Sequence, residues 1–286
     1  MTEQKSATGK IIGAIVVIVV VALAAWFYFT RVPGVDFSRH GPVATGPAKA
    51  STAPPPIEHP ISAAQTNPAP ATTAPLPPLD SSDDAVAAAL AALPGANGLA
   101  QLLLAHGLIP HIVATVDALP RQSIGESILP LRTPQGTFAV DTSSGQPMLD
   151  PKNFARYAPY MKIVEDIDAR TLVTWYVHWY PLFQQAYRDL GYPHGYFNDR
   201  LIVAIDNMLA APDAQLPVQL VAMQDGHYAF ADPTWESLSV GQKLMIRIGP
   251  DNERALKTKL RSIRALLLGK APELPMTGAP SGSASD

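Results

Sequence analysis

One uninterrupted apolar run near the N-terminus places the strongest limit on how this chain can fold. Residues 11–29, IIGAIVVIVVVALAAWFYF, make up 19 positions without a charge. As a helix this run would span about 28 Å, close to the thickness of one hydrocarbon core. The four aromatic residues at its end resemble a membrane-interface belt. We therefore expect one transmembrane helix over 11–29, after a short N-terminal tail at 1–10.

A cleaved signal peptide is the alternative interpretation of the same run. Ala22, Leu23 and Ala24 have the small-x-small form of a cleavage site. The apolar run continues past that site to Phe29, which favours a retained anchor. Basic residues lie on both sides of the run, so counting positive charges does not decide its orientation.

The segment after the apolar run has the composition of a disordered spacer. Residues 32–79 contain 12 prolines, and Ala, Thr and Ser fill most of the gaps. Such a chain cannot bury enough apolar area to offset its ordering entropy, and the prolines hold it extended, at about 3.1 Å per residue. We expect a Pro/Ala-rich disordered linker over 30–79. Such a spacer suits a domain that must stand away from the bilayer, and a neutral tether of no selected length is an equal alternative. By analogy of layout, we expect a single-pass protein of the bacterial inner membrane with its C-terminal domain in the periplasm.

The remaining sequence predicts one folded domain at 80–270 and a disordered tail at 271–286. About 190 residues are enough for one hydrophobic core. The formal net charge of the chain is −3, which does not indicate a nucleic-acid partner. The chain has no cysteine, which excludes disulfides, thiolate metal sites and cysteine nucleophiles.

Hydrophobic periodicity indicates a mainly α domain (α+β) with two small β-hairpins. Residues 136–149 and 217–232 each place short apolar runs on either side of a turn signal. The helix expected at 168–190 carries an aromatic stripe, most simply a core face and alternatively the lining of a ligand groove. The residues expected on this apolar face are Leu172, Trp175, Tyr176, Trp179, Tyr180, Leu182, Phe183, Tyr187 and Leu190. Those expected on its polar face are Thr174, His178, Gln184, Gln185, Arg188 and Asp189.

Motifs that carry chemistry are lacking in the sequence. It contains no His-Glu-x-x-His zinc motif and no Gly-rich phosphate-binding or dinucleotide-binding loop. Ser239 lies in a segment that loosely resembles a hydrolase elbow, but it is better interpreted as a helix cap. We therefore assign no catalytic residue, no metal ligand and no cofactor, and we expect the chain not to be an enzyme.

The stretch GYPHGYFNDR, residues 191–200, is the most distinctive in the chain. Gly191 stands where a helix C′ glycine belongs, and Asn198 precedes a new apolar periodicity, as an N-cap does. Phe197 would be the N′ residue of a hydrophobic staple, and Asp199 would lie at N1. We interpret the stretch as a corner between helices, with a functional site as the alternative. Its candidate interaction residues are Tyr192, Tyr196, Asp199 and Arg200.

A basic helix is expected at 249–270. Leu256, Leu260, Ile263 and Leu267 form its apolar stripe, and Lys257, Arg261 and Arg264 form a second, basic stripe. These cations either complement the C-terminal dipole of their own helix or bind an anionic partner, such as lipid head groups, a cell-wall polymer or an acidic envelope protein.

Three longer stretches resemble a known family. They are PLFQQAYRDLGYPHGYFNDRL, YAFADPTWESLSVGQKLMIRIGPDN and LPRQSIGESILPLRTPQGTFAVD. Together they are similar to a proteobacterial family of single-span, membrane-anchored proteins whose domain has no known function, over about 75–268. The resemblance implies a membrane anchor and a mostly helical domain, and it carries no activity. We expect a non-enzymatic envelope interaction or scaffolding protein; the alternative is an envelope hydrolase that uses carboxylates such as Asp199 in an aromatic-lined groove.

Overall fold

The computed structural model describes residues 56–67, 75–123, 129–224 and 226–272. Within these ranges, no helix is both long enough and apolar enough to cross a membrane. The transmembrane helix expected at 11–29, the N-terminal tail at 1–10 and most of the tail expected at 271–286 lie outside the described residues.

The folded domain is helical, as the periodicity predicts. Its α-helices within the described residues are α1 (Asp83–Ala91), α2 (Leu99–Leu102), α3 (Leu108–Ala118), α4 (Lys152–Ala155), α5 (Ala158–Asp166), α6 (Ala169–Asp189), α7 (Phe197–Leu209), α8 (Pro233–Glu236), α9 (Val240–Ile248) and α10 (Pro250–Leu267). Short 3-10 turns at Ile61–Ala63 and Leu79–Ser81 precede α1.

Two helices organise the core. The long helix α6 packs against α3 and α10, and α7 packs against α3, α9 and α10. The apolar stripe of α10 is buried in this core, as the sequence predicts: Leu256, Leu260, Ile263 and Leu267 are at most 1% exposed. The strongly apolar faces of α6 and α10 thus bury each other, and this burial is the main source of stability in such a bundle.

The aromatic stripe of α6 is a core face. Trp175, Tyr176 and Phe183 are fully buried, and Phe183 stacks on Phe197 of α7 with ring centroids 5.6 Å apart. Burial raises the pKa of the Tyr176 phenol well above its usual value. These side chains therefore pack against other helices and do not line a groove.

The assignment of the two faces of α6 needs correction at three positions. Thr174 and Gln184, expected on the solvent face, are 5% and 6% exposed, and Leu190, expected in the core, is 43% exposed. His178 is exposed, as predicted. Thr174 and Gln184 are buried because other segments of the chain cover the polar side of the helix.

A small β layer lies beside the helical core. Strands β1 (Val140–Asp141) and β2 (Met148–Leu149) form one antiparallel hairpin, and β3 (Leu220–Ala222) and β4 (Tyr228–Phe230) form the other, which confirms both predicted hairpins. An antiparallel bridge between Met148 and Gln219 joins the two hairpins. Leu149, Val218, Leu220, Phe230 and Ile246 form a separate, smaller apolar cluster under this layer.

Part of the segment expected to be a disordered linker folds onto the domain. Residues 56–67, called the strap below, lie against the helical core, with Ile61 and Ala64 partly buried. Leu79, at the end of the expected linker, is 8% exposed and belongs to the core. The prediction of disorder over 30–79 is therefore wrong for these residues, because proline content alone does not show that a segment finds hydrogen-bond partners on the domain.

Candidate functional site

The end of α6 has the geometry that Gly191 predicts. Gly191 has φ 114°, its N–H donates to the carbonyl of Arg188 (3.0 Å), and the N–H of Tyr192 donates to that of Tyr187 (3.4 Å). This pair of bonds is a Schellman motif, which needs a residue with positive φ at C′. Gly191 therefore lies at C′ of α6, and its positive φ is the conformation that glycine adopts most readily.

The start of α7 differs from the prediction. The helix begins at Phe197, and its N-cap is Tyr196, whose side chain makes no capping bond. Asn198 is therefore not the N-cap, Phe197 is not an N′ staple residue, and Asp199 lies at N3 and not at N1. Phe197 is fully buried in the aromatic core. The observed N-cap lies two residues upstream of the predicted one, and the Phe197 ring at the first helical position packs into the core.

Side chains of α6 take over the capping of α7. Gln184 Oε1 accepts the backbone N–H of Phe197 (2.9 Å), and Gln184 Nε2 donates to the carbonyl of Gly195 (2.8 Å). The Tyr180 hydroxyl donates to Gln184 Oε1 at 2.9 Å and so helps to hold the Gln184 side chain in place. One of the N–H groups that a helix start leaves without an intrahelical partner, that of Phe197, is thus satisfied by the preceding helix. No local pattern in the sequence indicates this role of Gln184.

The side chains of Asn198 and Asp199 bind the strap. Asp199 Oδ1 accepts the N–H of His59 at 2.7 Å, and Oδ2 accepts that of Glu58 at 3.2 Å. Asn198 is fully buried, and its Nδ2 donates to the carbonyl of His59 at 2.8 Å. An acceptor carboxylate and a donor amide at successive helix positions therefore recognise the main chain of the strap.

The other side of the corner is an ionic cluster around Asp117, near the end of α3. Its carboxylate receives the Arg121 guanidinium, the Arg200 Nε at 2.8 Å and the Tyr192 hydroxyl at 3.2 Å. Tyr192 also stacks on Tyr187, with ring centroids 4.5 Å apart. The candidate interaction residues Tyr192 and Arg200 thus form contacts within the protein. Tyr196, another candidate, is half-buried. The i, i+4 spacing of Asp117 and Arg121 was the available sequence signal for this cluster.

The basic stripe of α10 is only partly available to a partner. Lys257 is buried, and its ammonium bonds to Glu253 (2.8 Å), Asp213 (2.6 Å) and the carbonyl of Ala211 (2.7 Å). Arg264 is half-buried and forms an ion pair with Asp206 of α7. Arg261 is exposed. Lys257 is therefore a structural residue and not a candidate for binding an anionic partner.

Polar groups that could have suggested catalysis have structural partners. Ser239 caps α9 in a full capping box: Ser239 Oγ accepts the N–H of Gln242, and Gln242 Oε1 accepts that of Ser239, both at 3.2 Å. The Ser239 hydroxyl donates to Asn207 Oδ1 at 2.6 Å. Across the ranges that the structure covers, no three His, Asp or Glu side chains gather in a way that could hold a metal ion.

A family comparison assigns this chain to a known group of sequences. The model of a family described as a protein of unknown function, DUF3014, matches residues 108–264, more than half of the chain. The chain belongs to this family. The match begins at α3 and ends within α10, so the DUF3014 region includes the corner and its partners Asp117 and Gln184. The strap lies outside the matched residues.

No curated protein and no solved structure matches this chain.

Proposed function

We propose that this DUF3014 protein is a single-pass protein of the bacterial inner membrane whose folded domain acts in the periplasm as a non-enzymatic interaction or scaffolding module. The uncharged run at 11–29 supports the membrane anchor. The observation that best supports the scaffolding role is the pair of hydrogen bonds that Asp199 accepts from the backbone N–H groups of Glu58 and His59. Asn198 and Asp199 bind the segment that connects the domain to the proposed anchor. Such contacts suit a protein whose role is to hold its folded domain in a defined place relative to the membrane.

An envelope hydrolase would need different surroundings for the same residues. That function requires a carboxylate with free oxygens beside an aromatic-lined groove. Both oxygens of Asp199 accept backbone N–H groups, and the aromatic residues of α6 are packed in the core. These contacts favour the scaffold over the hydrolase.

For the partner, we propose an anionic component of the envelope that binds the exposed side of α10. Arg261 is the exposed cation of the basic stripe. Arg264 contributes less to the positive charge of this surface, because it pairs with the Asp206 carboxylate. Vesicles with anionic head groups should bind the full-length protein more weakly after Arg261→Glu. Arg188→Glu, at an exposed arginine of α6, is the charge-matched control. Equal losses for the two variants would refute a role for α10.

Reporter fusions test the proposed location. A reporter that is active only outside the cytoplasm, joined after residue 272, should be active, and a reporter that is active only in the cytoplasm should be silent at the same position. Deleting 11–29 should abolish the signal of the first reporter. The opposite pattern would place the domain in the cytoplasm and would refute the proposal.

A further inference from the structure

The strap is bound at both of its ends, by residues that are far apart in the sequence. At its C-terminal end, the N–H of Asn67 donates to Thr174 Oγ1 of α6 at 2.8 Å. Gln65 donates twice to the end of α10, from its backbone N–H to the carbonyl of Leu266 and from Nε2 to that of Gly269, each at 2.8 Å. Together with the Asn198 and Asp199 contacts, these bonds fix the strap across α7, α6 and α10.

The surface under the strap is shaped to receive a backbone. Gly269 has φ 71°, and a Cβ placed there would lie 2.8 Å from the carbonyl oxygen of Ala63. Glycine therefore serves both the αL end of α10 and the close approach of the strap. The domain recognises the strap largely through the backbone N–H and C=O groups of the strap.

The strap is held without deep burial. None of its residues is fully buried, and Ile57 is 48% exposed, whereas the helices beneath contribute fully buried side chains. Segments with few buried apolar contacts and solvent-accessible hydrogen bonds open at lower free energy than the core. Opening of the strap would expose the polar groups of Asn198, Asp199 and Thr174 to water, which can satisfy them.

We propose that residues 56–67 form a releasable intramolecular strap, whose docking by Asp199 and Thr174 sets where the N-terminal chain leaves the domain. When the strap is docked, the chain leaves at Glu58. When it is released, the domain next holds the chain at Leu76, which packs against the core.

The docking of the strap is inferred from contacts between described residues. Its effect on the distance between the domain and the membrane also requires the proposed anchor at 11–29. A chain spans at most about 3.5 Å per residue. The chain from residue 30 to the domain could therefore cover at most about 100 Å with the strap docked and about 160 Å with it released. The two states would hold the domain within different distances of the membrane.

Thiol labelling of the full-length chain tests the strap directly. The natural sequence has no cysteine, so Ala64→Cys introduces one thiol into a partly buried position of the strap. Its labelling rate should be slow, and Asp199→Asn should raise it about tenfold, because a bond to a charged acceptor is lost. Thr174→Val removes the acceptor of the Asn67 N–H at the C-terminal end of the strap and should also raise the labelling rate. Asp206→Asn, a carboxylate on α7 that pairs with Arg264, should leave it unchanged.

A second cysteine position separates strap release from unfolding. Val113→Cys lies in α3 at a position that is 1% exposed, so its labelling reports opening of the core. The proposal requires that Asp199→Asn leaves this rate unchanged. It is overturned if Ala64→Cys already labels as fast as a free peptide, if Asp199→Asn does not change its rate, or if both positions accelerate equally. Protection that depends on protein concentration would also overturn it, because the strap would then dock between two chains. None of these results depends on where the protein resides, so the test is independent of the proposed location.

Discussion

His59 and Asp199, which lie 140 positions apart in the chain, are joined by a hydrogen bond of 2.7 Å from the backbone N–H of His59 to Oδ1 of Asp199. This bond connects a segment with the composition of a linker to the most distinctive motif of the folded domain. The corner at 191–200 is therefore more than a turn between two helices: it is also where the domain holds the chain that precedes it.

Replacement of Asn198 should loosen the strap and not the start of α7. Asn198→Ala removes the donor to the His59 carbonyl, and we expect a loss of about 1–2 kcal/mol in the free energy of unfolding. Hydrogen exchange distinguishes the two roles. Amides of the strap should exchange faster, while those of Arg200 and Leu201 stay protected. Faster exchange confined to the first turn of α7 would instead restore the N-cap assignment.

Gln184 should be far more important for stability than its neighbour Gln185. Gln184→Leu leaves the Phe197 N–H and the Gly195 carbonyl without their partner, which should cost about 1–3 kcal/mol for each group that stays buried. Gln185 is exposed, so Gln185→Leu should change stability by no more than about 0.5 kcal/mol. Urea unfolding of the two variants measures the difference. Similar midpoints would contradict the capping role of Gln184.

Lys257 should behave as a core residue. Its side chain is 7% exposed and that of Glu253 3%, so Lys257→Met leaves a buried carboxylate without its ammonium partner. The expected loss is about 3–5 kcal/mol, whereas Arg261→Met on the exposed side of the same helix should have little effect. Adding Glu253→Gln to Lys257→Met should recover part of the loss in a double-mutant cycle.

The pH dependence of the Lys257→Met variant checks the same pair. Burial raises the pKa of the Glu253 carboxyl, despite its bond to Lys257. A raised pKa means that the folded state binds a proton that the unfolded state has released, so this group lowers stability as the pH rises from its unfolded pKa. Without Lys257, the pKa of Glu253 should rise further, and this loss of stability with rising pH should become larger. The variant should therefore lose less stability at about pH 5 than at about pH 8, and equal losses would contradict burial of the charge.

Buried tyrosines should make the protein sensitive to alkali. Burial raises the pKa of Tyr160 to about 12, from an ordinary value of 10.0. Between these values the unfolded chain releases the phenol proton and the folded chain keeps it, so the stability that is fully present below pH 10.0 falls as the pH rises towards about 12. Tyr160→Phe should make this fall less steep. It should also lower stability near neutral pH by about 0.5–1.5 kcal/mol, because the bond to the Arg132 carbonyl is lost. Denaturant unfolding from neutral pH to about pH 12 checks both effects. An unchanged slope would contradict the first, and unchanged stability near neutral pH would contradict the second.

Features governed by nearby residues could be predicted from the sequence. The aromatic stripe of α6, the apolar stripe of α10 and both hairpins follow from periodicity and turn residues. Gly191 and Ser239 have the local roles that their neighbours indicate. These features depend on bonds and contacts over a few positions, which the order of residues fixes directly.

Features of the polar surfaces could not be predicted in this way. Periodicity separates an apolar face from a polar one, but it does not show whether another segment covers the polar face. Gln184 and Lys257 lie on such faces, and both are buried because chain from elsewhere packs over them. The cap assigned to Asn198 failed for a related reason: packing of Phe197 in the core set the start of α7, and groups on α6 capped it.

Local sequence patterns are thus sufficient to predict the helical class of the domain, the core faces of its two longest helices, and an anchor at the apolar run. The binding of the strap by Asp199 follows from the tertiary structure alone, because that contact requires two segments 140 residues apart to meet. Closing so long a loop costs entropy that neither segment reveals in its own sequence. The packed surface of α6, α7 and α10 offsets this cost by presenting several hydrogen-bonding groups to the strap at once.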